Sequence, residues 1–399
     1  MSRPTVAVIG GAVGGLAAAE RFRTFADVTL FERQRYDERR VNCGEAINDA
    51  TLIPLSKTPE NGFHNRIERF RVDVYPGTDR RSDAPPLARS HFPVASGYVT
   101  DRNVVERSWA ERLAAGVDVR EGENVTVSRY RDLVDGYDYV VDATGQPSLS
   151  AKAAGETDRY TGVTVALNAD VTGEFGGTLR TPQIAFEGYV GYWWLFPKTP
   201  TRANVGIGWA GERRPENYVR ELWDACARNG APRPPREAIN ADTIPRGPSL
   251  DPSRTHPEPG VFLVGDAAGI ANRYQGEGIG QAIRSSYLLA DLVREGRQRE
   301  YPDRLHASMR AEYRLAALMR GVWEETGDPA LLAAVADAID GLTVEQITRD
   351  PRAVLWRVLR RPRVALSMLR RPRVFRRALY ACADRWEYNS ERAAAIWSG

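Results

Sequence analysis

The sequence predicts an α/β protein. A Rossmann-like domain is interleaved with an antiparallel-sheet domain, and a C-terminal helical region follows. Three observations predict this. A glycine-rich strand–turn–helix opens the chain and ends in an acid (residues 5–32, TVAVIGGAVGGLAAAERFRTFADVTLFE). A second one lies about 250 residues downstream (260–283, GVFLVGDAAGIANRYQGEGIGQAI). Between them, residues 188–208 read GYVGYWWLFPKTPTRANVGIG, two strand-like runs around a polar gap.

The bulk numbers agree. At 399 residues the chain exceeds one ordinary core, and 42% apolar with 27% charged residues is the balance of a globular protein. No apolar run approaches the ~20 residues of a membrane-spanning helix. The chain enters a strand within a few residues, so no signal peptide is expected. Three separated cysteines and four scattered histidines form neither a disulfide framework nor a metal pattern, so no metal is expected. A reducing cytoplasm is the expected compartment.

The first element is a βαβ unit. Val6–Ile9 is an apolar strand, Gly10 permits the tight turn, and Gly15 lets helix and strand approach closely. The helix N-terminus offers free N–H groups to a pyrophosphate. Glu32, 22 residues after Gly10, can accept from ribose hydroxyls, and an acid there disfavours a 2′-phosphate. In the G-x-G-x-x-G register the second glycine is Ala12, while Gly11 and Gly14 keep the loop lean. The site suits FAD or NAD.

Next come GYVTDRNVVERSWAERL (97–113), with Asp-Arg at a strand end before a helix, and YDYVVDATGQPS (137–148), an apolar strand ending in Ala-Thr-Gly. In the central stretch, alternation places Tyr192, Trp194 and Phe196 on one strand face and Trp193 and Leu195 on the other. That pattern fits either a sheet buried on both faces or a wall around a large apolar ligand.

The glycine motifs, the Asp-Arg element and the Gly-Asp element together resemble flavoproteins of the p-hydroxybenzoate hydroxylase fold group. Two stretches narrow the resemblance to the geranylgeranyl reductases: RRVNCGEAI (39–47), and the run Tyr192, Trp194, Phe196, Pro197, Lys198 followed by Asn204, Val205, Gly206 and Gly208. It spans roughly residues 3–300. It implies an FAD-dependent reductase that saturates isoprenoid C=C bonds in geranylgeranyl lipids or polyprenyl groups by hydride transfer from reduced flavin.

The residue roles carried over are as follows. Cys43, Tyr192 and Trp194 border the reaction site. Gly10, Ala12, Gly14, Gly15, Glu32, Arg33, Arg102, Gly265, Asp266, Gly276, Gly278 and Ile279 hold FAD. Phe196, Pro197 and Arg273 face the substrate. The implied FAD-binding domain is 1–50, 98–150 and 257–300, the substrate domain 51–97 and 151–256, and the helical region 301–399. The implied electron donor is NAD(P)H or a ferredoxin-like carrier. Two positions depart from the family: Tyr189 stands where a proline is usual, and Asn272-Arg273 replaces Asn-Pro.

The chemistry accounts for the aromatic wall. An isolated alkene needs close alignment with a hydride donor, a proton source for its second carbon, and tolerance of positive character, which aromatic faces supply. Cys43 also has a bland reading as a buried small hydrophobe. The alternatives within the fold group are a monooxygenase or a halogenase, for which Lys57 is the candidate lysine, and a redox-neutral isoprenoid cyclase with Glu45 or Glu277 as its acid.

After residue 300 the apolar spacing turns helical. LRRPRV recurs at a ten-residue interval within VLRRPRVALSMLRRPRVFRRAL (358–379), and its prolines suit first helical turns, so short consecutive helices are expected. Residues 351–383 carry ten arginines and no acid, and setting them aside takes the net charge from +3 to −7. Val364, Leu366, Met368, Leu369, Val374, Phe375 and Leu379 supply apolar surface among them. The segment is expected either to lie on an anionic membrane or to be a packed cap with solvated arginines. No nucleic-acid partner is expected, because no recognised module accompanies the arginines.

Overall fold

The computed structural model describes residues 2–157, 164–210, 214–244, 255–272, 276–374 and 376. Two sheets organise them. The smaller is fully parallel, in the order β13 (Val261–Leu263), β7 (Tyr139–Asp142), β1 (Thr5–Ile9), β2 (Asp27–Glu32), β6 (Asp118–Glu121). Strands β13, β7, β1 and β2 are mostly apolar and buried because both faces are covered, whereas the edge strand β6 is Asp-Val-Arg-Glu and partly exposed. Helix α1 (Val13–Phe22) lies against it, flanked by α2 (Arg102–Leu113); α3 (Val127–Gly136) and α4 (Leu149–Ala154) follow in the chain.

The larger sheet has eight strands in the order β12 (Asn240–Ile244), β8 (Thr164–Thr172), β11 (Arg202–Trp209), β10 (Gly191–Thr199), β9 (Gln183–Phe186), β4 (Phe63–Val74), β5 (Ala88–Thr100), β3 (Ala46–Ile47). It is antiparallel except at one join, where β4 and β9 run parallel. Its ladder takes in β3 and carries β5 on to Thr100. The chain therefore passes between sheets at 45–46 and 100–101. Inter-strand hydrogen bonds, not composition, set that point.

The two faces of the large sheet have different partners. One face, with Trp193, Leu195 and Ile207, packs on α5 (Tyr218–Arg228) around Leu222 and Cys226. The other, with Phe70, Trp194 and Phe196, is roofed by helices that follow α6 (Ile279–Arg294): α7 (Tyr301–Thr326), α8 (Pro329–Ala338), α9 (Val344–Arg349), α10 (Pro351–Leu359) and α11 (Pro362–Leu369). Prolines open α8, α10 and α11, and of these Pro362 at α11 is the one the LRRPRV repeat predicts.

The basic segment is a cap with two different faces. Val354, Val358 and Val374 are buried under it, and Val364 and Met368 pack against the same cluster. Leu355, Trp356, Leu359, Leu366 and Leu369 are exposed on its outside, Trp356 by 58%. Phe375 and Leu379 lie outside the described residues. No described helix is long and apolar enough to cross a membrane.

Candidate active site

At the parallel sheet, the glycines are required by close contacts. Gly10 has φ +101°, and a Cβ on Gly15 would lie 1.7 Å from the Gly10 carbonyl oxygen. Gly14 faces Ala282 of α6, and Ser286 of that helix donates to the Gly14 carbonyl at 2.8 Å. Ala12 is the N-cap of α1 with extended backbone and no side-chain cap, so the first N–H groups of the helix remain available to an anion.

Glu32 is buried at the end of β2. It accepts from the Gly11 and Gln34 amides at 2.6 and 2.9 Å. Arg33, the adjacent cation named from the sequence, is exposed. The cation that meets Glu32 is Arg39, at 2.9 Å, and its other contact is Glu106, also at 2.9 Å. Strand alternation points Arg33 away, whereas the loop after β2 returns Arg39 to the acid. The α6 N-cap, Gly278, also lacks a side-chain cap, and a Cβ there would sit 3.1 Å from Asp266 Oδ1. Gly265 adopts φ +59° against Ala282. Burial holds the Asp266 carboxyl above the usual range although Arg102 opposes it. Two uncapped helix N-termini, a lean glycine turn and two enclosed acids fit the phosphates and hydroxyls of a flavin dinucleotide.

Beside this cradle opens an apolar cavity of about 280 Å³. The Cys43-Gly44-Glu45 loop forms part of one wall, with the aromatic strand β10 next to it. Gly44 fits closely there: a Cβ would lie 3.2 Å from both Phe196 and the Trp194 indole nitrogen. Gly206 is required, since its Cβ would fall 2.1 Å from Trp194. The Asn-Val-Gly-x-Gly pattern is thus the bed of a tryptophan ring. Trp194 Nε1 donates to Asn204 at 2.9 Å, and Asn204 donates to Asp170 at 3.2 Å.

The loop is pinned from below. Glu45 has φ +63°, which is unusual for a residue with a side chain. Its carbonyl accepts from the Thr100 amide, and its carboxylate from the Arg102 amide at 2.8 Å. Lys198 Nζ lies 2.5, 2.7 and 2.8 Å from Glu45, Asp101 and Asp170, with only 2% of its side chain exposed. These three carboxylates come close enough together to hold a metal ion, but the ammonium already fills their centre. Burial opposes ionisation of Asp101, yet Lys198 and Arg202 hold its carboxyl down at about 2. Burial lifts Glu45 above its ordinary range despite Lys198, and burial likewise opposes the raised value of Lys198, which its carboxylates sustain. Sequence reasoning quoted Lys198 within the pattern but gave it no role. The lysine following Phe-Pro was the available signal.

The structure brings Cys43, Tyr192, Trp194, Phe196, Gly276, Gly278 and Ile279 to this cavity. Arg102 stands behind it, donating to Glu106 at 2.8 Å with Cys43 beside it. Pro197 is buried but does not line the cavity, because alternation turns it to the opposite face. Arg273 lies outside the described residues. Lys57 is not at the cavity either, and its ammonium donates to the carbonyls of Ile53 and Leu55. Tyr189 packs on Trp209, away from the cavity.

Glu277 lines the cavity and accepts from the Asn48 side-chain amide. Burial first, and then Glu312, push its carboxyl up to about 7 against the opposing pull of Arg349 and Arg284. Glu312 itself pairs with Arg284 at 2.8 Å and Arg349 at 3.6 Å.

A parallel sheet of dinucleotide-binding type joined to a curled antiparallel sheet is the architecture this chain shares with solved flavin-dependent enzymes. The geranylgeranyl reductase catalytic domain matches residues 183–241, which span β9 to the start of β12. Over that segment the chain is similar to the geranylgeranyl reductases. A digeranylgeranylglycerophospholipid reductase of Methanoculleus marisnigri is 27% identical over 71% of this chain and 74% of its own length. Among solved structures, a geranylgeranyl bacteriochlorophyll reductase-like protein from Thermoplasma acidophilum superposes with a TM-score of 0.67 at 19% identity, covering 92% of this chain and 98% of its own. The flavin-dependent halogenase CmlS gives 0.62 at 17% identity over 93% of this chain and 78% of its own. These two share the fold.

Proposed function

We propose that this protein is an FAD-dependent reductase that saturates C=C bonds in geranylgeranyl chains of membrane lipids or in polyprenyl groups. The observation that carries the reading is the largely apolar cavity between the glycine cradle and the aromatic strand, with Cys43, Asn48, Asp49, Glu277, Gln281 and Arg349 among its polar lining. The names of the curated relatives support the same substrate class. The halogenase alternative has no support at Lys57, which does not line the cavity and donates to two backbone carbonyls.

When bound, reduced FAD supplies the hydride. FAD would be held by Gly10, Ala12, Gly14, Gly15, Glu32 with Arg39, Gly265, Asp266, Gly276, Gly278 and Ile279, whose amides and carboxylates suit its phosphates and hydroxyls. Trp194 and Tyr192 hold the alkene and face the positive character that develops on carbon. Cys43 borders the same space, and Phe196 packs the chain. Glu277 gives the proton to the second carbon, its carboxyl poised near neutrality where a general acid works best. Electrons come from NAD(P)H or a ferredoxin-like carrier.

The enzyme works as a peripheral protein on the inner face of the cell membrane. Its arginine-rich cap presents Leu355, Trp356, Leu359, Leu366 and Leu369 outward, an apolar and cationic face that suits anionic lipid.

The test is anaerobic incubation of chemically reduced holoenzyme with archaeal prenyl ether lipids and menaquinone, followed by mass spectrometry. A gain of one hydrogen molecule per saturated bond is expected. No gain on any substrate refutes the reading.

A further inference from the structure

The cavity face of the large sheet is built in tiers. Strand pairing aligns Val72, Ile184 and Trp194 across β4, β9 and β10, and two residues further along it aligns Val74 and Phe186, with Tyr192 beyond them. Phe70 and Phe196 form the tier on the other side of Trp194, with ring centroids 5.9 Å apart. Each step of two residues advances about 7 Å, so the first and third tiers stand about 14 Å apart. Gly44 underlies the first two tiers, at the Cys43 end.

Trp323 of α7 stands over the third tier. Its ring meets Phe186 edge-on at 4.7 Å, and Phe186 in turn meets Tyr192 at 5.8 Å. Behind Trp323 lies a second, smaller pocket of about 50 Å³. Val74, Trp323 and Leu332 line both spaces. The remaining walls of the small pocket include Tyr75, Val190 and Pro329, and it continues the line of tiers. An indole and a leucine side chain, both on roof helices, therefore stand between the long chamber and the small pocket, whose far wall includes Gly188, Gly327 and Asp328.

We infer that Trp323, backed by Leu332, is the end stop that sets the length of isoprenoid chain the cavity accepts. The inference rests on the prenyl-chain reading of that cavity. Chain lengths that end before the third tier bind without meeting the partition, and longer ones collide with the indole. Truncating the indole joins the two spaces and lets further carbons leave water for an apolar surface. Filling the partition further shortens the track.

The experiment uses the full-length holoenzyme and its Trp323→Ala, Trp323→Phe, Leu332→Ala and Leu332→Phe variants. Flavin content and melting temperature serve as folding controls. Farnesol, geranylgeraniol and geranylfarnesol are the probes, and binding is read by equilibrium dialysis with the same alcohols assayed for saturation. In Trp323→Ala and Leu332→Ala, the affinity of geranylfarnesol relative to farnesol is expected to rise at least about tenfold. Trp323→Phe keeps most of the parent ranking, and Leu332→Phe shifts it toward farnesol. Should Trp323→Ala fail to retain flavin, the opposite shifts of the two Leu332 variants decide the matter. Folded variants with the parent's ranking overturn the end stop alone. A parent protein that binds none of the three alcohols overturns the prenyl reading and the end stop with it.

Discussion

Replacing Lys198 with methionine keeps the length of the stem and removes one buried charge. In the parent, its ammonium touches three carboxylates within 2.8 Å. The variant leaves Glu45, Asp101 and Asp170 together with Arg202, whose side chain is 38% exposed, as the nearest cation. Stranding one side of a buried ion pair costs about 3–5 kcal/mol. An unfolding entropy of ~2.1 cal/mol/K per residue gives ~0.8 kcal/mol/K for this chain, so the melting temperature should fall by about 4–6 °C at neutral pH. The pH dependence has a definite sign. In the parent, Asp101 sits at about 2 against an ordinary 3.8, so its contribution, about 2 kcal/mol, is present above the ordinary value and is lost only as pH falls through the folded one. Without the ammonium, burial and like charge raise the cluster's carboxyls, Glu45 first, above their unfolded values. A raised acid contributes stability at low pH that is lost as pH rises. The deficit of Lys198→Met should therefore narrow on acidification from about pH 8 to about pH 5. Melting curves of purified holoprotein across that range measure it. A deficit that is absent, or that stays constant with pH, refutes the reasoning.

Gly206→Ala puts a methyl 2.1 Å from Trp194 and 2.6 Å from the Leu167 carbonyl oxygen, and the backbone oxygen cannot yield. A loss of about 1–3 kcal/mol in chemical denaturation, with an altered tryptophan emission, is expected. Glu277 is held at about 7 by burial and Glu312, so parent turnover should fall as pH rises through that value. Glu277→Gln should remove the inflection and slow turnover by about 10²-fold in a pH–rate series. The double change Trp356→Ser, Leu359→Ser should weaken sedimentation with phosphatidylglycerol vesicles about tenfold while leaving turnover of detergent-dispersed substrate intact. High salt should weaken the parent's sedimentation in the same assay.

The flavin half of the fold was legible because backbone geometry dictates its residue types. Gly10 and Gly15 stand where no side chain fits, and Glu32 ends the strand that the spacing indicates. The aromatic wall was legible from strand alternation, which also explains why Pro197 turned out to face away. What stayed hidden depends on contacts between distant segments. Arg39, which no local pattern singled out, meets Glu32 because a loop doubles back. Lys198 meets acids 28 to 153 residues away, and no local pattern encodes that meeting. The helical region was expected to be either a cap or a membrane-facing surface. The spacing of its apolar residues did not reveal that its inner face would roof the cavity while its outer leucines and Trp356 stayed in solvent.

That roof has a consequence for biosynthesis. The greasy floor made by Phe70, Val72, Trp194 and Phe196 is complete once β11 leaves the ribosome, but its lid arrives about a hundred residues later with α7 and α8. At ~5–20 residues per second, the nascent chain displays an uncovered aromatic sheet for some seconds. Trigger-factor-like holdases, early flavin loading or slow codons upstream of residue 301 would each shield that interval. A stop codon placed just before α7 would leave a polypeptide prone to inclusion bodies even with its dinucleotide cradle intact.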